Sequence, residues 1–101
     1  MFEKFDWLLD RYQELSEALS QPDIIANQPR WQALLKEHAS LEPSVEAYRE
    51  YQQILREEAE AQEMQEMPEM EELAKSELND LRERRDQQEH KLKLLLLPKD
   101  P

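Results

Sequence analysis

Met64, Met67 and Met70 recur at three-residue intervals, a spacing compatible with thioether binding of a soft metal ion. Methionine is also the adaptable filler of contact surfaces, and packing or partner contact is the reading favoured for these three. Around them runs an acidic stretch, Glu57, Glu58, Glu60, Glu63, Glu66, Glu69, Glu71, Glu72 and Glu77, with Lys75 as its one base. Hard-cation loops need a sharp, ligand-rich turn usually made with glycine, and the chain has no glycine. The stretch therefore reads as the solvated tip of a hairpin. His38 and His90 each stand alone, and His38 falls on an apolar stripe, where a part-buried structural role is expected. The five serines lie in no nucleophile motif, there is no threonine, and no Asp–His relay is suggested. The absence of glycine also removes the P-loop and the dinucleotide fingerprint, and the absence of cysteine removes disulfides and thiolate zinc sites. No catalytic residue, cofactor-binding residue or metal ligand is expected.

The elements that carry these residues read as helices. Glu, Leu, Gln, Ala, Arg and Lys dominate a chain of 101 residues, enough for one small domain. Phe5, Leu8, Tyr12, Leu15 and Leu19 recur at three and four, flanked by Phe2 and Leu9, and the pattern stops at Pro22, which disfavours helical geometry at Gln21. After a short apolar link, Ile24 to Ala26, Asn27 is placed as an N-cap with Pro29 in the first turn. Trp31, Leu34, His38, Leu41, Val45, Tyr48, Gln52, Leu55 and Ala59 then follow the heptad seam of a coiled coil. The phase survives Pro43, so one kinked helix is expected, roughly 50 Å long at about 1.5 Å per residue.

A third segment opens at Pro68 with Met70, Ala74, Leu78, Leu81, Arg85, Gln88, Leu92 and Leu95 as its stripe. Its first turn is acidic and its end basic (Arg82, Arg84, Arg85, Lys91, Lys93), as the helix dipole prefers. The short turn around Gln65 to Met67 makes the second and third helices antiparallel. The fold class expected is all-α: a long, coiled-coil-like helical hairpin with a shorter N-terminal helix packed on its open end. The helices are placed at about residues 2–20, 29–64 and 68–97. The aromatic residues, Trp7 included, all lie in the first half and put the thick core at that end. Leu94 to Leu97 cannot all share one stripe, so at least one or two should face something else.

Net charge is −11, from 24 acidic and 13 basic side chains, which makes the chain a poor non-specific nucleic-acid binder. Its longest apolar run, Leu94 to Leu97, is far too short for a membrane span, and the start lacks a signal-peptide core, so the cytoplasm is the default.

Several stretches carry a resemblance. They are the opening helix with Leu8-Leu9, Arg11-Tyr12 and Glu14-Leu15; Leu19 to Ile25 (LSQPDII); Val45 to Tyr51 (VEAYREY); Met70 to Leu78 (MEELAKSEL); and, most specific, Leu94 to Pro101 (LLLLPKDP). In this order and spacing the whole chain resembles the N-terminal domain of bacterial class I peptide chain release factors, in the branch that reads UAG and UAA. The resemblance implies a part in translation termination. Such factors place a Gly-Gly-Gln loop at the peptidyl-tRNA ester and read the stop codon with a tripeptide motif elsewhere. Neither motif is in this sequence. On this reading residues 1–97 are the helical docking domain, and residues 98–101 begin a linker to a codon-reading and catalytic core. The partners implied are the ribosome, near the stalk base and GTPase-associated centre of the large subunit, and the remaining domains of the factor. No membrane contact and no sequence-specific nucleic-acid binding are implied for this segment. Candidate partner contacts are Met64, Met67, Met70, Arg82, Arg84 and Arg85, and the inter-domain linker is Leu96, Leu97, Pro98, Lys99, Asp100 and Pro101. The competing reading is a free-standing coiled-coil adaptor or chaperone-like module that self-associates through the seam.

Overall fold

The computed structural model describes residues 2–98, so Lys99, Asp100 and Pro101 of the expected linker lie outside the described residues. All regular structure among the described residues is helical: α1 (Glu3–Ala18), α2 (Pro22–Ala26), α3 (Gln28–Gln65), a 3₁₀ turn (Pro68–Met70) and α4 (Glu71–Leu95). The expected link at Ile24 to Ala26 is a short helix in its own right, opened by Pro22. α1 and α3 begin and end within about two residues of the expected boundaries, where helix ends fray. α4 begins at Glu71, three residues after the expected opening at Pro68, which starts the 3₁₀ turn instead.

The punctuation follows the side chains. Gln21 is extended (φ −78°, ψ 131°) because the ring of Pro22 crowds a helical conformation there, and Met67 (φ −88°, ψ 120°) before Pro68 repeats the device. Asn27 caps α3, its Oδ1 accepting the Arg30 backbone N–H at 3.3 Å. No described residue takes a positive φ, so the hairpin turn at Glu66 and Met67 closes without glycine, through 3₁₀-type bonds from Met67 N–H to Met64 O (3.0 Å) and Met70 N–H to Met67 O (3.0 Å). α3 continues through Pro43. That proline removes one helical hydrogen bond at a cost of about 3 kcal/mol, which the rest of a 38-residue helix has to offset.

The chain divides into two units, one up to Glu46 and one from Ala47 onward, and α3 supplies residues to both. In the first unit α1 runs antiparallel to the opening half of α3. Arg11 meets Glu37, Ser16 meets His38, and the Trp31 indole N–H donates to the Leu19 carbonyl at 3.2 Å. Phe5, Leu15 and Val45 are almost fully buried. Trp7, expected in the thick core with the other aromatics, is 64% exposed. It lies two residues from Phe5 on the helix, about 200° round, and so points away from the buried stripe.

In the second unit the closing half of α3 pairs antiparallel with α4, a helical hairpin. Ile54, Ala61, Leu78 and Leu81 form its core cluster. The α4 stripe is as expected from Ala74 through Leu92, but Leu95, at the end of α4, is exposed. On α3 the expected seam fails after Tyr48. Leu55 is 41% exposed and Ala59 is exposed, while Ile54 is 1% exposed and Glu58 and Ala61 are buried. The buried positions Ala47, Ile54, Glu58 and Ala61 are one residue out of phase with the opening half, because this stretch of the helix is covered by α4 rather than by α1.

Candidate functional site

The hairpin turn carries the three methionines. Met64 closes α3 and is half-buried, Met67 stands exposed in the turn, and Met70 is half-buried at the start of α4. Met64 also lines a groove of about 350 Å³ between α3 and α4, whose floor is Ala61 and Leu81 and whose rim is Glu57, Glu60, Glu77, Asp80 and Arg84. Among the described residues no three His, Asp or Glu side chains converge at metal-ligand geometry.

The basic candidates separate. Arg82 is exposed with no ion-pair partner among the described residues. Arg84 lies 3.7 Å from Glu57, and Arg85 donates to Glu58 Oε2 at 2.9 Å while standing 3.7 Å from Asp86. Two of the three arginines thus hold the hairpin together. Glu58 departs from the expected solvated run: it is 6% exposed, with its Oε1 buried and without a hydrogen-bond partner. The signal for it was present in the sequence as the spacing Ile54, Glu58, Ala61, opposite an arginine on the α4 stripe.

Above this pair the polar contacts continue. Gln88, buried on the α4 stripe, donates from Nε2 to the Ala47 carbonyl at 2.8 Å. The Tyr51 hydroxyl donates to Glu89 Oε2 at 2.8 Å. Burial, and then that hydrogen bond to a carboxylate, push the Tyr51 phenol up to about 12, so it remains a donor throughout the neutral range.

In the first unit His38 is half-buried, stacked on Tyr12 (ring centroids 4.1 Å apart) and bonded to Ser16 Oγ at 2.9 Å. This is the structural role expected of it. Beside it Arg11 grips Glu37 with both arms of the fork, Nε to Oε2 at 2.7 Å and Nη2 to Oε1 at 2.9 Å. Sequence reading missed this pair, because partners 26 residues apart leave no local pattern. The hydrogen bonds from Arg11 hold the Glu37 carboxyl below its usual value of 4.5, and the Arg11 guanidinium is correspondingly raised. The folded chain therefore binds a proton at Glu37 less readily than the unfolded chain. The stabilisation is present above the ordinary carboxylate range and is lost as pH falls through the lowered value. Glu37→Gln is expected to flatten the acid limb of a melting-temperature profile below about pH 5. An acid limb identical to that of the parent chain would show that the pair contributes nothing.

At the end of α4 only Leu92 of the leucine run is fully buried. Leu96 is half-buried, and Leu94, Leu95, Leu97 and Pro98 are exposed. No helix among the described residues is long and apolar enough to cross a membrane.

Among the described residues the chain is all-α, its closing half a helical hairpin joined by the Arg85–Glu58, Gln88–Ala47 and Tyr51–Glu89 contacts. The chain belongs to the PCRF domain family, whose model matches residues 8–101. It is 48% identical to peptide chain release factor 1 of Carboxydothermus hydrogenoformans, 43% to that of Caldicellulosiruptor saccharolyticus and 44% to that of Clostridioides difficile, over 100% of this chain in each case. It spans 29% of the length of these relatives. No solved structure matches it.

Proposed function

We propose that this chain is the helical docking domain of a stop-codon-reading peptide chain release factor and acts in translation termination in the cytoplasm. The observation that carries the reading is the likeness to release factor 1 proteins over 100% of the chain at 48% identity. With no glycine the chain has no Gly-Gly-Gln loop of its own, so promotion of peptidyl-tRNA hydrolysis falls to the rest of such a factor. The domain's part is to position that factor near the stalk base of the large ribosomal subunit. The exposed Leu94, Leu95 and Leu97 support a junction here, since an apolar run at a helix end is where a following domain would find cover. The exposed turn at Met67, with Met64 and Met70, and the unpaired Arg82 are the contacts proposed to face the ribosome.

A chimera tests this. The chain replaces the corresponding segment of the Carboxydothermus relative, and release of formyl-methionine from programmed ribosomes is followed at each stop codon. Release at UAG and UAA but not at UGA is expected. Met64→Ser, Met67→Ser and Met70→Ser together should weaken ribosome binding of the chimera while leaving its helicity intact. A folded chimera that neither binds ribosomes nor releases peptide would overturn the reading. Unchanged binding by the triple variant would remove the methionines from it.

A further inference from the structure

α1 leaves a tryptophan in water. Trp7 is 64% exposed, and among the described residues it has neither a hydrogen bond nor a ring partner. Asp10 and Glu14 follow it at i+3 and i+7, on the same helical face. Arg11 lies there too, but its charge is committed: it grips both oxygens of Glu37 and lies 3.4 Å from Glu14 Oε2. Asp10 has no ion-pair partner among the described residues. Together Trp7, Asp10, Arg11 and Glu14 line a shallow depression of about 330 Å³.

An open indole face beside an unpaired carboxylate suits one kind of guest. A cation over the ring meets the negative face of the π-system, and its N–H groups reach the carboxylate. We propose that this face of α1 docks a basic polypeptide segment, with one lysine or arginine lying over Trp7 and pairing with Asp10. The charge of −11 favours a polypeptide cation over a nucleic acid, whose phosphates it would repel, and over a second copy of the same chain. Tryptophan is also the residue type that most often anchors an interface. The proposal stands apart from the termination reading, since it uses only this chain.

The two tryptophan indole N–H signals give a direct readout, because the Trp31 indole is tied to the Leu19 carbonyl and the Trp7 indole is free. Isotope-labelled chain is titrated with a deca-lysine peptide. The Trp7 signal is expected to move saturably while that of Trp31 stays. Trp7→Leu and Asp10→Asn should each weaken binding about five- to tenfold, and Trp7→Phe less, with unchanged circular dichroism because both residues are exposed. Glu63→Gln, the same loss of charge in the second unit, should change binding less than about twofold. Equal losses for Asp10→Asn and Glu63→Gln would mean that total charge alone attracts the peptide, and would overturn the proposal. An oligouridylate that shifts Trp7 with similar affinity would assign the face to nucleic acid and overturn it as well.

Discussion

Ile54→Ala is expected to lower the stability of the chain by about 2–4 kcal/mol, whereas Leu55→Ala, one residue on, should change it by less than about 1 kcal/mol. Both replacements remove aliphatic carbons from the same helix, so helix propensity nearly cancels from the comparison. What differs is cover. Ile54 is 1% exposed in the cluster with Ala61, Leu78 and Leu81, and truncating it leaves a cavity that the neighbouring helix can close only in part. Leu55 is 41% exposed, so much of its surface is already hydrated in the folded state. Urea midpoints followed by circular dichroism at 222 nm decide the matter. For a domain of this size a loss of about 3 kcal/mol moves the melting temperature by roughly 12–24 °C, well outside experimental scatter. The heptad seam read from the sequence predicts the opposite ranking, with Leu55 inside and Ile54 outside. A larger loss at Leu55 would therefore restore that seam and reject the observed register.

The seam failed for a reason that one-dimensional periodicity cannot reveal. Trp31, Leu34, His38, Leu41 and Val45 share a face in the first unit, and extrapolating their phase through Tyr48 gives Gln52, Leu55 and Ala59. In the closing half of α3 a different helix provides the cover, and the phase is reset to it. Both Ile54 and Leu55 are apolar, so hydrophobicity alone does not choose between them. On α4 the stripe from Ala74 to Leu92 was legible in full, Gln88 and Arg85 included. Proline positions marked the breaks at Gln21 and Met67, because the steric effect of a proline ring on its predecessor is local. The long-range polar pairs were not legible. Arg11–Glu37 and Arg85–Glu58 join residues 26 and 27 apart, and either glutamate could be exchanged for a dozen others in so acidic a sequence. Trp7 was misplaced because its residue type outweighed its angle on the helix. Of the candidate docking residues, Met67 stands exposed in the turn with Met64 and Met70 half-buried on either side, whereas Arg84 and Arg85 face carboxylates of their own hairpin.

Arg85→Met is the second large effect expected, a loss of about 1–3 kcal/mol. The Glu58 side chain is 8% exposed, and among the described residues its one hydrogen bond comes from Arg85. Removing that donor leaves a buried carboxylate beside Ile54 and Ala61 without its partner, the costly way to break a buried pair. The arginine is about a third exposed, so water can enter where it stood, and the loss falls short of that for a fully enclosed pair. Glu58→Leu should cost less than Arg85→Met, because the guanidinium can swing to solvent and to Asp86, already 3.7 Å away. Glu58→Leu and Arg85→Met together are expected to return the chain to within about 1 kcal/mol of the parent, since no charge is then left unpaired and Oε1, unpartnered even in the native fold, is gone. Urea unfolding of the four chains gives the coupling energy, and simple additivity of the two single losses would show that the pair does not act as a unit. What the pair adds beyond stability is register. An apolar seam of Ile, Ala and Leu tolerates a slipped alignment, whereas Glu58–Arg85 and the Gln88 bond to the Ala47 carbonyl are satisfied in only one. The double variant should therefore keep its midpoint yet lose protection of α4 amides in hydrogen exchange. Equal protection in both chains would leave the register to Gln88 and the packing of Leu78 and Leu81 alone.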